Sequence, residues 1–172
     1  MKHLSPIVAL LVALAAPPLA AQAQPDSVPV LEAREISGPR LGFTYMTGPT
    51  AKQKLADNNL DPFMSLFGWH FEQIVRPQSG GPMFVIQEVV LVAGVDQGTA
   101  IPTGSLLFGI RFPGGLEFGM GPNLSPMGTA LAVGIGKSFR YGGVTIPINL
   151  ALVRSQGALR YTFLFGYAIR RR

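Results

Sequence analysis

His70 and Glu72, in the stretch Phe67-Gly68-Trp69-His70-Phe71-Glu72, have the spacing in this chain best suited to acid–base chemistry. Residues two apart on a strand share a face. An imidazole and a carboxylate side by side can orient a general base or contribute to a metal site. The rest of such a constellation is missing from the sequence. The other histidine is His3, there is no cysteine, and no serine or further acid stands at a recognisable catalytic spacing. The same pair has a structural use, in which the carboxylate fixes the histidine tautomer. We therefore expect no catalytic residue, no metal and no cofactor.

Other short patterns carry less. Gly136-Lys137-Ser138 has the ending of a phosphate-binding loop, but the first glycine of that motif would have to stand where Leu131 does, and the residues lie in a strand-like run. Asn123-Leu124-Ser125 is a glycosylation triplet by chance. Gly121-Pro122-Asn123-Leu124-Ser125-Pro126 reads as a rigid turn.

The elements that hold these residues follow from composition and period. The chain is 48% hydrophobic and 13% charged, with 21 glycines and a net charge of +5. Arg170, Arg171 and Arg172 supply three of the positive charges and the other basic residues are scattered singly, so no basic stripe marks a nucleic-acid partner.

Lys2 and His3, the apolar run Ile7 to Ala16, Pro17-Pro18 and the small-residue site Ala21-Gln22-Ala23 have the order of an export signal over residues 1–23. Residues 24–38 lack a period and read as an N-terminal extension. Residues 39–172 form one domain.

From Gly38-Pro39 onward the apolar period is two. Leu159, Tyr161, Phe163, Phe165, Tyr167 and Ile169 alternate with Arg160, Thr162, Leu164, Gly166 and Ala168. Similar alternation marks Leu41 to Met46, Phe67 to Val75, Ser105 to Phe112, Leu116 to Gly121, Thr129 to Tyr141 and Val144 to Leu152. Met83 to Val95 is apolar on both faces, so its facing is open. Eight strands result, with one short helix over Thr50 to Asn59 in the first long connection. Pro113-Gly114-Gly115 and Gly142-Gly143 are tight turns at one end. Longer connections (48–62, 94–104, 121–128) lie at the other. The predicted fold is all-β, an antiparallel up-and-down eight-stranded β-barrel.

The face opposite the bulky residues is mainly Gly, Ala, Ser and Thr with one or two charges per strand. That is too few for a water surface, but it suits the lumen of a narrow barrel. The bulky face is then expected to meet lipid, with Tyr45, Trp69, Phe112, Phe139, Tyr141 and Tyr167 as interfacial girdles. His70, Glu72, Glu88, Arg111, Glu117 and Arg160 would share the lumen as a structural cluster, paired because isolated buried charges are costly. Two alternatives follow. One is a soluble periplasmic barrel with the bulky face turned inward around an apolar ligand. The other is an envelope lipid-modifying enzyme using His70.

The segments GPRLGFTY (from Gly38), FGWHFE (Phe67 to Glu72), LEFGMGPNLSP (Leu116 to Pro126) and IPINLALV (Ile146 to Val153) resemble uncharacterised bacterial outer-membrane β-barrel proteins. The resemblance spans nearly the whole of residues 24–172. It implies a monomeric barrel in the bacterial outer membrane, in contact with its lipid, handled during biogenesis by the barrel assembly machinery, and without enzymatic activity.

Overall fold

The computed structural model describes residues 32–77 and 80–170; the expected export signal and the first part of the extension lie outside them. The elements run β1 (Glu32–Thr47), α1 (Pro49–Asp57), β2 (Phe63–Arg76), β3 (Met83–Ala93), a 3₁₀ turn (Val95–Gln97), β4 (Ile101–Arg111), β5 (Leu116–Ser125), β6 (Gly128–Tyr141), β7 (Val144–Ser155), β8 (Ala158–Gly166) and β9 (Ile169–Arg170). From β1 to β8 each strand pairs antiparallel with the next, β1 also pairs with β8, closing the sheet, and β9 pairs with β1 beyond β8.

The register fixes the shape. From Arg34, the ladder leads through Ile74, Val85, Gly109, Gly119, Gly134, Ala151 and Thr162 back to β1 at Thr44, ten residues beyond the start. With ~3.3 Å per residue and ~4.8 Å between strands, that stagger tilts the strands by roughly 40° around a backbone cylinder about 8 Å in radius. So narrow a cylinder cannot hold many large side chains, which explains the small residues on its inner face.

All eleven phenylalanines, the one tryptophan and all four tyrosines are exposed on the outer wall. Phe163, Ile148 and Val133, at 38%, 41% and 43% exposure, point away from the axis. The inward-facing arrangement of a soluble carrier is therefore not what this sequence builds. Tyr45, Phe63 and Tyr161 cluster in register at the long-loop end, while Phe112, Phe139, Tyr141 and Tyr167 lie towards the short-turn end. Trp69 differs from the expectation, since it lies midway along β2, opposite Pro39 and Val90.

Prolines account for the irregularities. Pro39 on β1 stands opposite Tyr167, and Pro147 on β7 stands opposite Gly166, so the last strand meets a residue without an N–H on each side at one level. The ladder loses bonds there, dividing β8 from β9. The register nevertheless continues, with Arg40 facing Gly166 and Ile36 facing Arg170. Pro122 has a similar effect in β5, where the β4–β5 pairing lapses between Ser105–Asn123 and Phe108–Met120. The expected Gly121–Pro126 turn is thus mostly strand, and Pro126-Met127 makes the turn. The extension is also shorter than expected, because β1 already begins at Glu32.

Gly142 and Gly143, with φ of 56° and 83°, make the two-residue hairpin that only such residues adopt easily. Helix α1 starts on Pro49, which needs no N–H partner in a first turn, and the chain leaves it through Asn59 in the left-handed region. Its Ala51 and Leu55 are buried among Met46, Met64, Leu66, Leu91 and Leu164 at the long-loop end of the lumen. A second apolar cluster, Ile36, Ile74, Met83, Val85 and Ala168, lies at the short-turn end.

Candidate functional site: the ionic network of the lumen

Alternation along each strand aims one polar side chain after another at the axis, and the ten-residue stagger brings them to adjoining levels. Arg111 of β4 is the hub. Its Nε donates to Glu117 Oε2 at 2.7 Å and its Nη2 to Glu72 Oε2 at 2.7 Å, with a further ion pair to each carboxylate. Gln87 Nε2 donates to Glu72 Oε2 at 3.1 Å, and Asn149 Nδ2 donates to Glu117 Oε1 at 2.5 Å. Ser138 Oγ lies 3.4 Å from Glu117 Oε2. Glu72, Arg111 and Glu117 are all at most 4% exposed.

One level further in, Arg40 Nη2 lies 2.5 Å from His70 Nδ1, and His70 Nε2 lies 3.6 Å from Glu72 Oε2. Arg40 Nη1 donates to the carbonyls of Pro39 and Tyr167, each at 3.1 Å. The second carbonyl is the one opposite the proline that has no N–H to offer it. Arg40 and Arg111 match Glu72 and Glu117 in charge. Among the described residues no buried side-chain nitrogen or oxygen lacks a hydrogen-bond partner.

Of the six residues expected to share the lumen, four, His70, Glu72, Arg111 and Glu117, do form one network. Arg160 faces the lumen but belongs to a separate polar group nearer α1, where its Nη2 donates to Asn123 Oδ1 at 2.9 Å. Asn123 Nδ2 in turn donates to Thr103 Oγ1 at 2.9 Å and Ser105 Oγ at 2.8 Å. Glu88 is a correction. The inward phase of β3 is Met83, Val85, Gln87, Val89 and Leu91, so Glu88 is exposed on the outer wall between Phe71 and Leu106. Arg40, Gln87, Asn123 and Asn149 were not anticipated. Extending the alternation of Gly42, Thr44 and Met46 back by two residues would have found Arg40.

Both ring nitrogens of His70 face other side chains, and the cavity it lines, with Arg40, Gln87 and Glu117, has about 50 Å³. That is room for a water or two. Among the described residues no group of three or more His, Cys, Asp or Glu is placed to hold a metal ion. What the geometry does chemically is neutralise and satisfy four charges in a space of low polarity.

No protein-family model and no curated protein matches this chain. Among solved structures, it is similar to the crystal structure of Ail, the attachment invasion locus protein of Yersinia pestis, with a TM-score of 0.52, 13% identity, and coverage of 80% of this chain and 99% of that one. It is also similar to the backbone structure of the Yersinia pestis outer membrane protein Ail in a phospholipid bilayer nanodisc, at TM-score 0.51 and 15% identity with the same coverage. At that identity the likeness is one of fold, the closed antiparallel eight-stranded barrel.

Proposed function

We propose that this chain is a small, non-enzymatic protein of the bacterial outer membrane whose lumen is closed by its own side chains. The observation carrying this reading is that every aromatic side chain lies on the outside of the barrel while the paired charges lie within. Water around such a wall would face a contiguous apolar surface far beyond the few hundred Å² usual for soluble monomers. Hydrocarbon removes that cost, and a closed barrel leaves no sheet edge unpaired.

The closed lumen is supported by the Arg111 network across its middle and by Leu55 of α1 buried at one end. A solute pathway would have to break ion pairs and displace the helix. The connections at the long-loop end include turns as short as Pro126-Met127 and Gln156-Gly157, which leave α1 as the main feature displayed there. A lipid-modifying use of His70 gains no support from a ring held between Arg40 and Glu72.

The test is fractionation of the expressed chain with detergent extraction and heat-modifiable migration on a gel. The reading expects recovery in the outer-membrane fraction, a detergent requirement for a monodisperse monomer, and faster migration before boiling than after. A monodisperse species in detergent-free buffer would refute it. In planar bilayers the closed lumen predicts no stepwise conductance.

A further inference from the structure

Arg34 of β1, Arg76 of β2 and Arg140 of β6 are far apart in sequence and on three strands, yet all three lie on the inward phase at the short-turn end. There they line one cavity of about 90 Å³. Its floor is Ile36, Ile74 and Met83, with Arg111, Ser138 and Thr145 on its wall. Arg111 is already paired with Glu72 and Glu117, and Arg40 deeper in the lumen is held by His70 and two backbone carbonyls. Among the described residues no ion pair holds Arg34, Arg76 or Arg140. In the ladder Glu32 is the partner position of Arg76, one acidic residue against three arginines.

We propose that this mouth is a binding site for a phosphate-bearing anion. Three guanidiniums around one small cavity offer forked N–H donors of the geometry that phosphate oxygens accept. The hydroxyl of Thr145 lies on the same wall, and the cavity has the size of a single tetrahedral oxyanion. Three like charges held around one space repel one another, and an anion between them relieves that repulsion. The floor of Ile36, Ile74 and Met83 is apolar, and Arg111 on the wall is the one guanidinium that also belongs to the deeper network, already paired with Glu72 and Glu117. The inference needs only the barrel, and it stands whether or not the wall lies in a membrane. In the outer-membrane reading this mouth faces the periplasm.

The anion can be a free phosphate or a lipid headgroup reaching over the rim, and two arms separate these sources. The folded barrel is held in maltoside micelles, which contain no phosphate, at fixed ionic strength. Inorganic phosphate is titrated in one arm and short-chain phosphatidylglycerol in the other, with sodium chloride as the screening control, and heat uptake and ³¹P line width are followed. Saturable binding in either arm is expected, with affinity at least tenfold weaker in the Arg34→Gln, Arg76→Gln, Arg140→Gln triple variant. That variant should keep its heat-modifiable migration, because none of the three joins the buried network. Each single variant should show a smaller loss. No saturable binding in either arm, equal binding by the triple variant, or an effect reproduced by chloride would overturn the site.

Discussion

Arg40 Nη2 stands 2.5 Å from His70 Nδ1 on the neighbouring strand, although thirty residues separate them in sequence. A guanidinium can only donate, so Nδ1 accepts and the ring proton belongs on Nε2, towards Glu72. The expectation that Glu72 would set this tautomer is thus only half of the arrangement, and Arg40 does more of the orienting. Replacing Arg40 with Leu strands both Nδ1 and the Tyr167 carbonyl, and we expect a loss of about 2–4 kcal/mol. Urea unfolding followed by Trp69 fluorescence measures it. A double-mutant cycle with His70→Phe should show at least ~1 kcal/mol of coupling, and additive losses would deny the contact.

At the hub, Glu72→Leu alone leaves Arg111 and Arg40 short of a counter-charge, and a cost of about 3–5 kcal/mol is expected. Replacing the unit together, as Glu72→Leu, Arg111→Leu and Glu117→Leu, should cost less than the single losses added. An additive triple variant would mean that the three residues act separately.

Glycine positions give a sharper steric test. A Cβ on Gly42 would fall 1.9 Å from the Phe163 carbonyl oxygen, whereas one on Gly104 meets nothing within 4 Å. Gly42→Ala is expected to lose at least about 3 kcal/mol or fail to fold, with Gly104→Ala within about 0.5 kcal/mol of the parent. Folding yields in detergent, read by gel shift, compare them directly.

The outer wall is tested by charge. Leu150, midway along β7, replaced by Arg should cost about 2–4 kcal/mol in liposomes, while Tyr141→Arg beside the hairpin should cost no more than about 1 kcal/mol. Glu88→Leu should gain stability in the same assay, because the native carboxylate stands between Phe71 and Leu106. Equal effects at Leu150 and Tyr141 would show a wall bathed in water.

In the β3–β4 connection, Asp96 accepts from the Ser65 hydroxyl at 2.6 Å and from the Ser65 N–H at 3.1 Å, and these bonds hold its carboxyl below the usual 3.8. A depressed folded-state value means the contribution is present above the unfolded value and is lost as pH falls through the folded one. Amide exchange at Ser65 should therefore rise, relative to its intrinsic rate, only at pH below about 3.8. Asp96→Asn should remove that pH dependence while leaving the barrel's gel shift intact.

The alternation was readable wherever inward positions are small, as in β6, β7 and β8, because contrast in size then mirrors the two faces. It failed in β3, where Met83, Val85, Val89 and Leu91 fill apolar ends of the lumen and look like wall residues, and Glu88 was misplaced with them. Asn123 was hidden for a different reason. Gly121-Pro122 has the composition of a turn, yet the strand runs through it because the β4–β5 pairing lapses beside Pro122 and asks no N–H of it. Arg34, Arg76 and Arg140 looked scattered because no local period reports which strands will share a rim; only the closed register does.

The doubled interruption at Pro39 and Pro147 has a consequence for the seam between β1 and the end of the chain. Ile36 and Arg170 are neighbours across it, so residues from opposite ends of the sequence already lie one strand apart. A circularly permuted chain, joined there by a short linker and opened at Gly142-Gly143, would keep every other strand pairing. It would also convert the seam between β1 and β9 into a covalent hairpin.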